Sequence, residues 1–177
     1  MTERKTVAPL FRALVFLFFS VWIGLDGVRL DLLPAFLGYY WIYRVLRDFE
    51  AEYPAPRPVY PACIAAGVLS VGGWLDRAWA LLPGWAGTAY SLCVTALCVY
   101  VLYHMIGLLI RIARKAGRDD LAENGARYRL IFLLPYALVS VAGAVSGGVR
   151  GILLAFVIIF ELAVAAFTAN CEYALFR

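Results

Sequence analysis

Residues 86–110 read AGTAYSLCVTALCVYVLYHMIGLLI, 25 consecutive positions with no Asp, Glu, Lys or Arg. Wound as a helix at 1.5 Å per residue, such a run covers about 37 Å, more than the roughly 30 Å of hydrocarbon in a bilayer. The chain then changes character at once. Residues 111–129, RIARKAGRDDLAENGARYR, hold nine charged side chains in 19 positions, as expected where a span leaves the membrane.

Five further apolar runs lie on either side of this boundary, at residues 9–25, 32–46, 60–75, 130–145 and 151–169. Lipid requires every backbone donor and acceptor to be paired within a helix or a closed barrel, and these runs lack the alternation of barrel strands. The predicted fold is therefore all-α: a polytopic transmembrane bundle of six helices, forming one integral membrane domain over residues 1–177. Composition agrees, with 64% hydrophobic and 16% charged residues and a mean hydropathy of +0.80, against about half and a quarter in soluble domains. The net charge of +4 does not indicate a nucleic-acid partner, because the basic residues flank apolar runs instead of lining one polar face. Arg4 and Lys5 precede the first run, but no A-x-A cleavage pattern follows, so that run is expected to be retained as a helix.

Orientation follows from the basic residues. With the N-terminus inside, 13 of the 16 Lys and Arg residues fall on the inner side and only Arg29, Arg77 and Arg150 on the outer. Cytoplasmic loops carry such an excess, so both termini are expected in the cytoplasm. Residues 111–129 then form the main cytoplasmic loop, which sets orientation and can also meet anionic headgroups or a protein partner. The proline-rich EYPAPRPVYP at residues 52–61 is expected as an extended linker on the same side.

The outer turns share features. LDGVRLDLLP from Leu25 and LDRAWALLP from Leu75 have the same opening and ending, and GVRLDLLPAF from Gly27 resembles GVRGILLAF from Gly148. Three hairpins of common origin would give this pattern. Asp26, Arg29, Asp31, Arg77 and Arg150 form the expected outer charged cluster, either a charged entrance or separate interfacial caps.

Asp26-Gly27 with Arg29 and Gly38 briefly resembles the D-x2-D-G-x2-A-R-x8-G-x3-D-x3-D motif of CDP-alcohol phosphotransferases. Ile42 and Leu46 stand where that motif's last two aspartates belong, which removes the two-metal site and with it the activity. Asp31, Leu33, Pro34, Phe36, Gly38 and Tyr39 are similar to the D-x-L-P-x-F-x-G-Y segment of small multi-pass membrane proteins of Gram-positive bacteria, with Ala35 where an acidic residue is common. The resemblance implies a bacterial cytoplasmic membrane and carries no activity. Physically, Asp31 is placed to cap the second helix and Pro34 to occupy its first turn.

Tyr39, Tyr40 and Tyr43, with Trp41, surround most of one turn of that helix, as interfacial anchors or as a stacking wall for a ligand. Trp22, Trp74, Trp79 and Trp85 fall near the outer boundary and read as an aromatic belt. Ser140, Gly143 and Gly147, with Cys63/Gly67 and Ala66/Ser70, supply small-residue faces for close helix contacts. Cys63, Cys93, Cys98 and Cys171 lack metal or redox spacing and read as packing thiols.

Glu161 lies about ten residues from either end of its apolar run, near mid-depth, where an ionisable group costs about 3 kcal/mol and turns toward the bundle. Ala165, Thr168 and Glu172 continue its face. It is either a glutamate that stitches helices together or a solute or proton site, and His104, the single histidine, is its candidate partner. No HExxH, P-loop, GxSxG or Rossmann pattern occurs, so no enzyme activity, metal or cofactor is expected. The expected function is solute-binding or transport-related; the size and six helices are similar to those of vitamin-capturing S-components of energy-coupling-factor transporters, whose small-residue motif in the first helix this chain lacks. The alternative is a non-transporting assembly partner or a subunit of a larger membrane complex. Expected partners are the lipid bilayer, a small-molecule solute, and a membrane protein or a second copy of the chain.

Overall fold

A computed structural model describes residues 8–18, 22–25, 28–31, 34–79, 84–131, 133, 138 and 150–176. For residues 22–25 and 28–31, the end of the third helix and the start of the last it describes the backbone alone. Six helices carry the described chain: α1 (Ala8–Phe18), α2 (Ala35–Asp48), α3 (Val59–Trp79), α4 (Gly84–Lys115), α5 (Asp119–Ile131) and α6 (Arg150–Phe176). Between α1 and α2 runs an antiparallel hairpin of β1 (Trp22–Leu25) and β2 (Val28–Asp31).

The first apolar run is thus not one helix over 9–25. α1 stops at Phe18, and Trp22 to Leu25 pair as a strand, Leu25 opposite Val28 and Trp22 opposite Asp31. This register leaves only the dipeptide Asp26-Gly27 between the strands, and Asp-Gly between apolar runs is the strongest short-range hairpin signal. Asp31 consequently belongs to β2 and does not occupy the N-cap position of α2. The N-cap position is Pro34, at φ −67° and with no side-chain cap bond.

Each helix buries the stripe its spacing dictates. α2 buries Gly38, Tyr39, Ile42, Val45 and Leu46 and exposes Arg44, Arg47 and Asp48, a stripe at helical period facing its neighbours. Ile42 and Leu46, where a metal-binding motif would need carboxylates, are core residues. α1 meets this face at Gly38, where a Cβ would lie 2.7 Å from the Ala13 carbonyl oxygen and from Leu17 Cγ. α3 packs on α2, where a Cβ on Gly67 would lie 3.7 Å from Tyr39 Cβ, and Cys63 and Ala66 of α3 are buried. The expected small-residue face is present there; Ser140, Gly143 and Gly147 lie outside the described residues.

The second correction concerns residues 111–129, which are not a loop. α4 runs on to Lys115, and α5 returns from Asp119. Gly117, at φ +72°, takes the left-handed conformation that glycine adopts without strain. Its N–H donates to the Arg114 carbonyl and the Arg118 N–H to the Ala113 carbonyl, the two bonds of a Schellman termination. Arg114 and Lys115 in the last turn of α4, and Asp119 and Asp120 in the first turn of α5, each oppose the local end of the helix dipole. Arg118 clamps the junction by donating from Nε and Nη2 to the two Asp120 carboxylate oxygens, both at 2.9 Å. That hydrogen bond holds the Asp120 carboxyl down at about 2. A lowered carboxylate value means that the clamp is complete above the ordinary aspartate range and is lost only as pH falls toward 2.

Among the described residues one helix is long and apolar enough to cross a membrane: Trp85–Lys115, with a mean hydropathy of 2.1 in its span window. The 11 residues of α1 and 14 of α2 reach only about 17 and 21 Å, so six full-length spans are not what these elements provide. The hairpin is the physical reason, since it takes residues from the end of the first run. The expected fifth span, 130–145, falls mostly outside the described residues. The expected linker at 52–61 is without regular structure only at residues 54–56, between turns on one side and turns and the start of α3 on the other. α3 begins at Val59 and accommodates Pro61 in its first turn, where a missing N–H costs little.

Candidate functional site

Four helices enclose a cavity of about 330 Å³ in the half of the bundle nearer the hairpin. α1 contributes Leu17, α2 Ala35 and Tyr39, and α3 Ser70 and Gly73. α4 supplies Gly87, Tyr90, Ser91, Val94, Thr95 and Cys98, positions spaced by three and four and therefore on one helix face. Among the described lining residues five carry hydroxyls and none is charged. Ser70 donates to the Gly67 carbonyl at 2.7 Å, which leaves its lone pairs as acceptors. Tyr90 lies across the glycine pair of α3: a Cβ on either Gly72 or Gly73 would come within 3.1 Å of its ring or hydroxyl.

Tyr39 also faces a second space. An apolar groove of about 380 Å³ between α2 and α3 is lined by Phe36, Tyr39, Tyr40, Tyr43, Ile64 and Val68. The three tyrosines singled out from the sequence thus do share one surface. Tyr40 is 53% exposed on it, whereas Tyr43 stacks edge-on against Tyr60 and accepts a 2.9 Å bond from Arg47 Nη1.

His104 belongs to a third site, at the other end of α4. His104, Gly107, Arg111 and Arg114 of α4 and Ala126 and Arg129 of α5 line a cleft of about 430 Å³. The imidazole packs edge-on against Tyr100 and Tyr103, with ring centres 4.7 and 5.3 Å away. Arg111 is tied down by a 2.8 Å bond from Nη1 to the Pro54 carbonyl and a 3.3 Å bond from Nε to the Gly107 carbonyl. Arg129 sits over Tyr103, its guanidinium carbon 3.3 Å from the ring centre. No acidic residue among those described lines this cleft.

Glu161 lines none of these three spaces, so the structure does not place it with His104 in the cleft. It is half-buried, on the face of α6 that continues through the buried Val164, Ala165 and Thr168. Its carboxylate has no hydrogen-bond or ion-pair partner among the described residues. Thr168 is fully buried and donates to the Val164 carbonyl of its own helix at 2.9 Å. Glu172 lines a small groove between α6 and Phe11 of α1.

The outer charged cluster is placed only by backbone. Arg29 pairs with Gly24 and Asp31 with Trp22 in the hairpin, β2 packs against α3, which carries Arg77 near its end, and Arg150 opens α6. Asp26 lies outside the described residues. Cys63, Cys98 and Cys171 are buried and Cys93 is exposed, and no disulfide joins them. No group of three or more potential metal ligands occurs among the described residues.

Sequence reasoning passed over Ser91, Thr95 and Arg129. The signal for the first two was present, since hydroxyls four residues apart in an otherwise apolar helix share a face. Arg129 could not be found that way, because its position depends on α5 folding back along α4. No family model matches the chain, and neither a curated protein nor a solved structure matches it. Its function must be argued from the chemistry of these sites.

Proposed function

We propose that the chain is a small multi-pass protein of a bacterial cytoplasmic membrane, its six apolar runs embedded in the bilayer and both termini cytoplasmic, and that it captures a small solute as a binding or transport-related component. The observation that carries the solute reading is the four-helix cavity. Its volume of about 330 Å³ falls within the range of small-molecule sites, and its described wall combines hydroxyls with apolar carbon and no ionised group. Such a wall suits an uncharged solute bearing several hydroxyl or amide groups. The 13-to-3 distribution of basic residues and the span Trp85–Lys115 support the membrane setting.

The test is thermal melting of the purified chain against a panel of uncharged hydroxylated solutes and nucleosides. A ligand present at about 100 times its Kd stabilises by roughly 2.7 kcal/mol, a rise of several degrees. Thr95→Leu, which removes one wall hydroxyl, should abolish that rise. The alternative, a non-transporting assembly partner, is favoured by the exposed aromatic groove of α2 and α3. If no solute shifts melting and the chain purifies from its own membrane in fixed ratio with another protein, that alternative replaces the solute reading.

A further inference from the structure

We propose that the cleft between α4 and α5 binds a phosphate group, on a lipid headgroup or on a soluble phosphate ester, held by Arg111, Arg114 and Arg129. The site is separate from the four-helix cavity and does not depend on what that cavity binds. Among the described residues, three guanidiniums and one imidazole line about 430 Å³ and no carboxylate does. Gathering like charges is unfavourable unless an anion enters.

The geometry is already set for such an anion. The Tyr103 ring lies against Arg129, leaving guanidinium N–H groups for an acceptor. Arg129 Nε is buried and has no hydrogen-bond partner among the described residues, an unmet donor of the kind a ligand oxygen satisfies. Gly107 makes room for the stack, since a Cβ there would already touch Arg129 Nη1 at 3.5 Å and any longer side chain would displace it. Arg111 is fixed by the Pro54 and Gly107 carbonyls, and two bonds leave further donors on its five-donor fork. Arg114 is exposed and stands at the rim. Several forks converging from two helices match the oxygens of a tetrahedral phosphate better than the single plane of a carboxylate.

The test uses the full chain in a zwitterionic detergent, with calorimetry against inorganic phosphate and glycerol phosphate, and native mass spectrometry against phosphatidylglycerol and diacylglycerol. Retention of phosphatidylglycerol over diacylglycerol identifies a lipid headgroup. Binding of the soluble phosphates identifies a phosphate ester. In either case Arg129→Gln should weaken binding about tenfold or more, and Arg129→Lys, which keeps the charge but loses the fork, should restore only part of it. Arg114 is exposed and its replacement leaves the packing intact, so Arg114→Gln decides the matter if Arg129→Gln fails to fold. Absence of binding by the three phosphate-bearing probes, retention of phosphatidylglycerol no greater than that of diacylglycerol with neither soluble phosphate bound, or equal binding by the wild type and Arg114→Gln, overturns the proposal.

Discussion

Glu161 separates two roles that a lone acidic residue in an apolar helix can play. A glutamate that stitches helices together needs a partner, and the described residues supply none. As far as the described residues go, its removal relieves desolvation and breaks no bond. Glu161→Leu is expected to leave the melting temperature in detergent unchanged or to raise it by the equivalent of about 1 kcal/mol. A fall of more than roughly 5 °C would show that the carboxylate does hold the bundle together. Glu161→Gln should keep the fold as well, so a change in solute binding across pH in that variant isolates any part the proton plays. The sequence made this residue legible because its depth depends only on distance along one helix. Its expected pairing with His104 was not legible, because that depends on how α4 and α6 are rotated, and His104 faces the basic cleft.

The apolar helices announce themselves by run length, and α2, α3, α4 and α6 begin and end within a few residues of where the pattern puts them, apart from extensions along their charged ends. The hairpin and α5 do not announce themselves in this way. Hydropathy merges the strands with α1 and merges α5 with its turn, so only local chemistry marks them. That chemistry is in the sequence: Asp26-Gly27 for the hairpin, and a glycine between basic and acidic turns for the α4–α5 reversal. α5 also carries its own packing constraint. A Cβ on Gly125 would lie 2.7 Å from Ile110 Cγ1 and 2.8 Å from Phe167 Cζ, so α4 and α6 both approach α5 at a position where only hydrogen fits. Gly125→Ala gains about 0.8–1 kcal/mol in helix propensity and costs about 1–3 kcal/mol in overpacking. The expected net is a loss of about 1 kcal/mol, or roughly 2–4 °C in melting temperature for a chain of this size. A rise on substitution would mean that the three helices are not this close.

Across the bundle, α4 links the two sites, with the hydroxyl-lined cavity along its first half and the arginine cleft along its second. Arg111 on the Pro54 carbonyl and Lys115 5.1 Å from the centre of the Tyr53 ring bring the α2–α3 connection to the same end as the α4–α5 turn, as two cytoplasmic segments require. Cysteine labelling along α4 tests the proposed embedding most directly. Trp85 is 79% exposed at its start, and Ala116 is exposed just past its end; Gly117, with its positive φ, would be strained by a side chain. In a Cys93→Ser background, Trp85→Cys should react with a membrane-impermeant maleimide in intact cells or right-side-out vesicles, and Ala116→Cys only in inverted ones. Labelling of both positions from the same side, or of Ala116→Cys in intact cells, would contradict a span along α4 with its arginine-rich end in the cytoplasm.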